Sequence, residues 1–160
     1  MTAVDIVIKE VIDEAGLAEF VQLVKEYLDQ LPFVIDFQDI EAELQRPSSE
    51  YSRSVGGAAF LASSESGPVG CIGIRYLSPG IAELKRMYVS PEYRGSGIAR
   101  LLCQVAIDAA KKLGYFAVRL DTVEEMTQAI ALYESLGFVE IDQYRPNPLE
   151  TARFFELRIG

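Results

Sequence analysis

Between Ile81 and Leu120 the chain changes hydrophobic period twice, and this constrains its fold more than any other feature. Ile81 to Val89 reads as a strand. Ile98 to Leu113 repeats apolar residues at helical spacing, with Leu101, Leu102, Val105, Ala109 and Leu113 on one face and Gly114 just past the end. Tyr115 to Leu120 is again a short apolar strand. A strand–helix–strand run of this kind implies an α/β sheet with a crossover helix.

The flanking segments extend that sheet. Val4 to Lys9 alternates as a first strand, and Asp13 to Gln30 carries a helical stripe of Leu17, Val21, Val24 and Leu28 that continues to Leu31 and stops at Pro32. Gln38 to Leu44 reads as a short second helix, and Pro47 to Gly57 as a loop. Gly57–Ser63 and Val69–Leu77 form a predicted hairpin around Gly67-Pro68. Thr122 and Glu125 have capping-box spacing and are expected to open a helix that runs to Leu136, where Gly137 stops it. Phe138–Tyr144 and Thr151–Ile159 are the closing strands. The order is β-α-α-β-β-β-α-β-α-β-β, with helices expected on both faces of a mixed sheet. No linker or repeat interrupts it, so residues 1–160 read as one domain.

The residue inventory removes several chemistries. The chain has no His, which excludes Ser-His and Cys-His catalysis and most zinc sites. Cys71 and Cys103 lie in apolar stretches without metal-ligand spacing and read as buried thiols of a reducing compartment. A net charge of −9 disfavours a nucleic-acid partner and suits cationic ligands such as amines. No apolar run is long enough for a membrane span, and the N-terminal residues carry no cleavable signal pattern, so a cytoplasmic protein is expected.

The chemistry is written in Val89-Ser90-Pro91-Glu92-Tyr93-Arg94-Gly95-Ser96-Gly97-Ile98-Ala99, set between a strand and the long helix. A helix N-terminus presents unpaired amides and the positive end of its dipole, and glycines just before it let the backbone approach an anion. The segment is a candidate pyrophosphate cradle. It is not a Walker loop, which needs Lys-Ser or Lys-Thr where Ile98-Ala99 stands. Nor does it suit a dinucleotide fold, because several strands precede it.

Arg94-Gly95-Ser96-Gly97-Ile98-Ala99 resembles the Arg/Gln-x-x-Gly-x-Gly/Ala signature with which GNAT enzymes hold the pyrophosphate of CoA. The likeness runs upstream through Glu83 to Tyr93 and downstream through Leu101-Leu102. A second block, Ala129 to Phe138, is similar to the family's helix-to-strand element. The element order fits nearly the whole chain. The resemblance implies a GNAT domain with a mixed, mostly antiparallel sheet. It also implies transfer of an acetyl group from acetyl-CoA to an amine, with no metal.

By the same resemblance, Met87, Tyr88 and Val89 would hold the pantetheine arm through their backbone, and the Met87 amide would meet the thioester oxygen. Arg94, Gly95, Ser96, Gly97, Ile98 and Ala99 would bind the pyrophosphate, with Arg100 adding charge beside it. Glu83 is the candidate general base, at the spacing of a catalytic glutamate in the family's histone-acetylating branch. A packed ion pair with Lys85 or Arg86 is the competing reading. Tyr133, on the stripe Met126-Ala129-Ile130-Tyr133, is the candidate general acid, against simple core burial. Met126 departs from the Asn common at its position, which removes a polar contact to the cofactor. The acceptor side falls on Phe33, Asp36 and Phe37, and on Tyr144, Arg145 and Asn147 of a Tyr-x-x-Asn-Pro turn. Asp36 suits an ammonium and Arg145 a carboxylate. The acceptor is expected to be a small-molecule amine, with a peptide acceptor or a CoA sensor without turnover as alternatives. Many relatives pair into homodimers through their C-terminal strands, and nothing in the residues decides for or against it.

Overall fold

The computed structural model describes residues 5–31 and 37–160, with the side chains of residues 37–39 outside that description. The strands are β1 (Val7–Glu10), β2 (Ala58–Ser64), β3 (Gly67–Ser78), β4 (Ile81–Val89), β5 (Ala117–Val123), β6 (Val139–Ile141) and β7 (Ala152–Arg158). The helices are α1 (Glu14–Gln30), α2 (Phe37–Gln45), α3 (Ile98–Lys112) and α4 (Thr127–Ser135). This is the element order read from the sequence.

The strands form one sheet in the order β1-β2-β3-β4-β5-β7-β6. Every neighbouring pair is antiparallel except β4–β5, which the α3 crossover makes parallel. On one face, α3 sets Leu102, Cys103 and Ala106 into a core with Ile72, Ile74, Leu84 and Val118. On the other, Phe20, Leu23 and Val24 of α1 pack with Ala59, Leu61 and Cys71. Phe20 is fully buried and meets Tyr51 edge-on at 5.1 Å. Burying a side chain of that size contributes about 3 kcal/mol. Asp13 caps α1 by accepting the Gly16 amide at 2.8 Å, which fixes where the helix starts.

Local signals misplace some boundaries. The capping box at Thr122 and Glu125 does not form: β5 continues through Thr122 and Val123 because β7 pairs with it as far as Ala152. Glu125 instead accepts the Thr151 hydroxyl at 2.9 Å, and α4 opens at Thr127 without a side-chain cap. The strand expected over Phe138–Tyr144 shortens to β6, an edge strand held by β7 alone. The loop expected over Pro47–Gly57 contains two turns of 3-10 helix.

Two irregularities of β4 set up the site. First, β4 and β5 pair at Ile81–Ala117, Ala82–Val118 and Glu83–Arg119 and then part. From Leu84 to Val89, the β5-facing edge of β4 has no strand against it among the described residues. Second, Cys71 of β3 opposes Tyr88 while Gly73 opposes Lys85, so β4 carries an extra residue between them. That bulge holds Arg86 at φ +59°, a left-handed conformation that few residues other than glycine adopt.

Candidate functional site

A cavity of about 690 Å³ opens where β4 and β5 separate. Its walls come from Leu84–Met87 of β4, Leu120–Val123 of β5, Tyr133 of α4 and the Arg145–Leu149 turn. Clefts at such breaks in an α/β sheet are common ligand sites.

At the far end of β4 lies the glycine loop. Gly95 and Gly97 have φ of +80° and +87°, which only glycine takes without strain, and a Cβ on either would point into open space. The amides of Gly95, Ser96, Gly97, Ile98, Ala99 and Arg100 find no acceptor among the described residues; the next one, Leu101, bonds the Gly97 carbonyl at 3.2 Å. Six consecutive free amides at the positive end of a 15-residue helix form a cradle for an anion. The side chains of the loop serve other ends. Arg94 donates to the Val89 carbonyl at 3.0 Å and to Gln30 at 3.2 Å, and its guanidinium lies over Tyr88, which ties the loop to β4 and α1. Ser96 donates to the Tyr93 carbonyl. Arg100, expected beside a phosphate, donates instead to Ser135 of α4 at 2.7 Å.

The bulge distributes the β4 side chains. Met87 packs against the α3-side core and lines the cavity. Val89 is buried in that core, and Tyr88 turns to the opposite face, where its hydroxyl accepts from Gln30. Arg86 makes a two-point ion pair with Glu43 of α2, at 2.8 and 3.0 Å, which holds its unusual backbone in place. Tyr133 is buried against Phe138, and its hydroxyl has no hydrogen-bond partner among the described residues. Burial pushes the Tyr133 phenol well above its usual range, so it keeps its proton at any working pH.

Glu83 stands differently from its expected place. Its side chain has no exposed surface and does not line the cavity. Arg75, directly opposite it on β3, donates at 3.0 Å, Tyr144 donates at 2.5 Å, and Arg145 donates to both oxygens at 3.0 and 3.1 Å. Burial alone would raise its carboxyl, but Lys85, the Tyr144 hydroxyl and the two guanidiniums together hold it below the ordinary value. A carboxylate with every oxygen engaged and a lowered pKa is an anchor for its neighbours rather than an acceptor of a substrate's proton. Its partners are also not Lys85 or Arg86: those two lie further along the same strand, whereas Arg75 sits across from it in register.

Two residues beyond the Glu83–Arg119 pair, Lys85 and Asp121 occupy the same face on opposite sides of the gap. Both line the cavity. Neither makes an ion pair among the described residues, and Asp121 accepts one hydrogen bond, from the Asn147 amide at 3.2 Å. Sequence reasoning passed over Asp121 and took Lys85 only as a possible ion-pair partner of Glu83. The available signal was a charge on each of the two strands, two positions past the last pair they share.

The acceptor-side residues divide. Tyr144 and Arg145 close over Glu83, and Asn147 orients Asp121 while its own side-chain oxygen accepts the Leu149 amide at 2.9 Å. Phe33 and Asp36 lie outside the described residues, and Phe37 opens α2 with its side chain outside the description. Among the described residues no cluster of acidic, Cys or His groups has the makings of a metal site, and no helix is long and apolar enough to cross a membrane.

Comparison with known proteins converges on one family. Residues 20–138 match the model of the acetyltransferase (GNAT) family. An uncharacterised N-acetyltransferase of Schizosaccharomyces pombe is 34% identical over 146 residues, covering 90% of this chain and 89% of that protein. A GNAT-family acetyltransferase from Staphylococcus aureus Mu50 superposes with a TM-score of 0.82 at 25% identity, over 96% of this chain and 99% of the other. A Salmonella typhimurium acetyltransferase solved with acetyl-CoA shares the fold, with a TM-score of 0.72 at 18% identity over 96% and 93% of the two chains.

Proposed function

Since the chain belongs to the GNAT acetyltransferase family, we propose that it moves an acetyl group from acetyl-CoA to the primary amine of a small molecule, by direct attack in a ternary complex. The observation that carries this reading is the parting of β4 and β5 after Glu83, which leaves the edge of β4 open from the cavity at Leu84–Met87 to Val89, ahead of the glycine loop and its free amides. The residues fit the donor. The amides of Gly95 to Arg100 would take its pyrophosphate, and the open edge of Met87, Tyr88 and Val89 its amide-bearing arm. Acetyl-CoA supplies an activated acyl group with a good leaving thiolate.

The chain's own residues do the rest. The Met87 amide would serve the carbonyl oxygen on which negative charge builds. Asp121, the cavity carboxylate that has no cationic partner among the described residues, takes the proton of the acceptor's ammonium so that its nitrogen can attack. As the new N–C bond forms and the C–S bond breaks, the Tyr133 hydroxyl protonates the thiolate. The nitrogen sheds its second proton to water as the amide forms, and Asp121 returns the first through water to Tyr133, so that the net proton released leaves to solvent. Glu83 acts one pair earlier, fixing Arg75, Tyr144 and Arg145 and through them the turn that carries Asn147. Two buried unpaired thiols, Cys71 and Cys103, suit a cytoplasmic setting.

Replacing Tyr133 by Phe is expected to lower kcat about 100-fold while acetyl-CoA still binds, as steady-state kinetics beside calorimetric titration will show. Gly97→Val forces a β-branched residue to positive φ beside the cradle and is expected to weaken acetyl-CoA binding about tenfold or more. Thiol release from acetyl-CoA across amines, polyamines, amino acids and short peptides tests the proposal. Release with a small amine supports it. Release with peptides alone would make the protein a peptide acetylator, and silence with acetyl-CoA bound would make it a CoA sensor.

A further inference from the structure

The charged groups around the cavity sort into pairs, with two left over. Glu43 holds Arg86, Glu50 holds Arg75 at 2.9 Å, and Glu83 holds Arg75 and Arg145. Lys85 and Asp121 remain, one positive and one negative, facing each other across the gap between β4 and β5 without touching within ion-pair distance. Two opposite charges on facing walls, each without an ion-pair partner among the described residues, are the complement of a small zwitterion. We propose that the acceptor carries a carboxylate beside its reactive amine, as an α-amino acid does, and that Lys85 holds this carboxylate while Asp121 receives the ammonium. The inference rests on the acetyl-transfer reading and names the substrate class of the same site.

The energetics favour it. Lys85 is a half-buried residue of the cavity wall, and an ammonium in such a place is costly unless paired. Burial is the largest influence on it and Arg86 and Arg75 add repulsion, so its pKa falls to about 8 despite Glu83 and Asp121. Glu83 is committed to other donors. A ligand carboxylate would supply the missing counter-charge and move the Lys85 pKa back up toward its ordinary value. Arg145 strengthens the same pole: among the described residues only one of its nitrogens is committed to Glu83, which leaves donors toward the cavity it lines. A simple amine would fill the Asp121 pole and leave Lys85 desolvated and unpaired. The site therefore discriminates by an unmet charge.

Matched acceptors test this: phenylalanine against phenethylamine, and leucine against isopentylamine, with kcat/KM read from thiol release. The intact protein is expected to prefer the amino acid in each pair. In Lys85→Met that preference ratio falls about 100-fold, chiefly through KM, as removal of one partner of a desolvated charge pair implies. Lys85→Arg keeps a measurable preference, which a merely structural lysine would not restore. Equal rates on both members of each pair in the intact protein would overturn the carboxylate subsite and leave acetyl transfer standing, as would a Lys85→Met loss that falls equally on both. No transfer to any member, with acetyl-CoA bound, would overturn this inference together with the transfer reading.

Discussion

Asp121→Asn is expected to lower kcat by about 100-fold to 1,000-fold, with acetyl-CoA affinity unchanged. The substitution keeps the side chain's shape, and its remaining oxygen can still accept the Asn147 amide that orients Asp121 now. What it removes is the carboxylate charge. An amine acceptor reaches the site protonated at neutral pH, and an Asn cannot take that proton. Asp121 lines the cavity without an ion-pair partner among the described residues, whereas Glu43, Glu50 and Glu83 are each tied to an arginine. Acetyl transfer from pH 6 to pH 9 distinguishes a lost base from a lost contact. With the base gone, the remaining rate should climb with pH as free amine accumulates in solution. Full kcat in Asp121→Asn would show that the proton leaves by another route.

Glu83→Leu is expected to destabilise the protein by about 3 kcal/mol, read as a lower urea midpoint. The change removes the common partner of Arg75, which is mostly buried, and Arg145, which is a third exposed, so the penalty belongs at the lower end of the range for broken buried pairs. It also orphans the Tyr144 hydroxyl. The pH dependence has a definite sign. Glu83 and Glu43 both titrate below their ordinary value of 4.5 in the folded protein. The unfolded chain therefore binds these protons first. Their stabilisation is complete above the unfolded value and is lost as pH falls through the folded ones. Acid unfolding of Glu83→Leu should be correspondingly less steep below pH 4.5 than that of the intact protein.

The element order was legible because each element declares itself locally. The stripe from Leu101 to Leu113, the stop at Pro32 and the two glycines before Ile98 need no tertiary information. The capping box failed for the opposite reason: the pairing of β7 with β5 extends the strand over Thr122, and Thr151 takes Glu125 away. From their place beside the glycines, Arg94 is expected to lend its amide and Arg100 its charge to the pyrophosphate. The Arg94 amide instead bonds the Pro91 carbonyl at 3.3 Å, and the Arg100 guanidinium reaches Ser135, which sequence spacing cannot show. Glu83 stood out as a charge in an apolar strand, yet its meaning depends on Arg75 across the sheet and Arg145 from the last turn. Lys85 and Asp121 gave the weakest signal. A charge on a strand ordinarily faces solvent, and only the separation of two strands after their third shared pair turns these two toward a common cavity.

The free amides of the glycine loop and the open edge of β4 are the proposed seat of acetyl-CoA. Amide NMR of the protein titrated with acetyl-CoA tests it most directly. The largest shifts and the strongest new exchange protection are expected at Gly95 through Arg100 and at Met87 through Val89, because these segments gain acceptors they now lack or an edge partner they do not have among the described residues. Saturable binding that leaves both segments unshifted and moves amides elsewhere would contradict it.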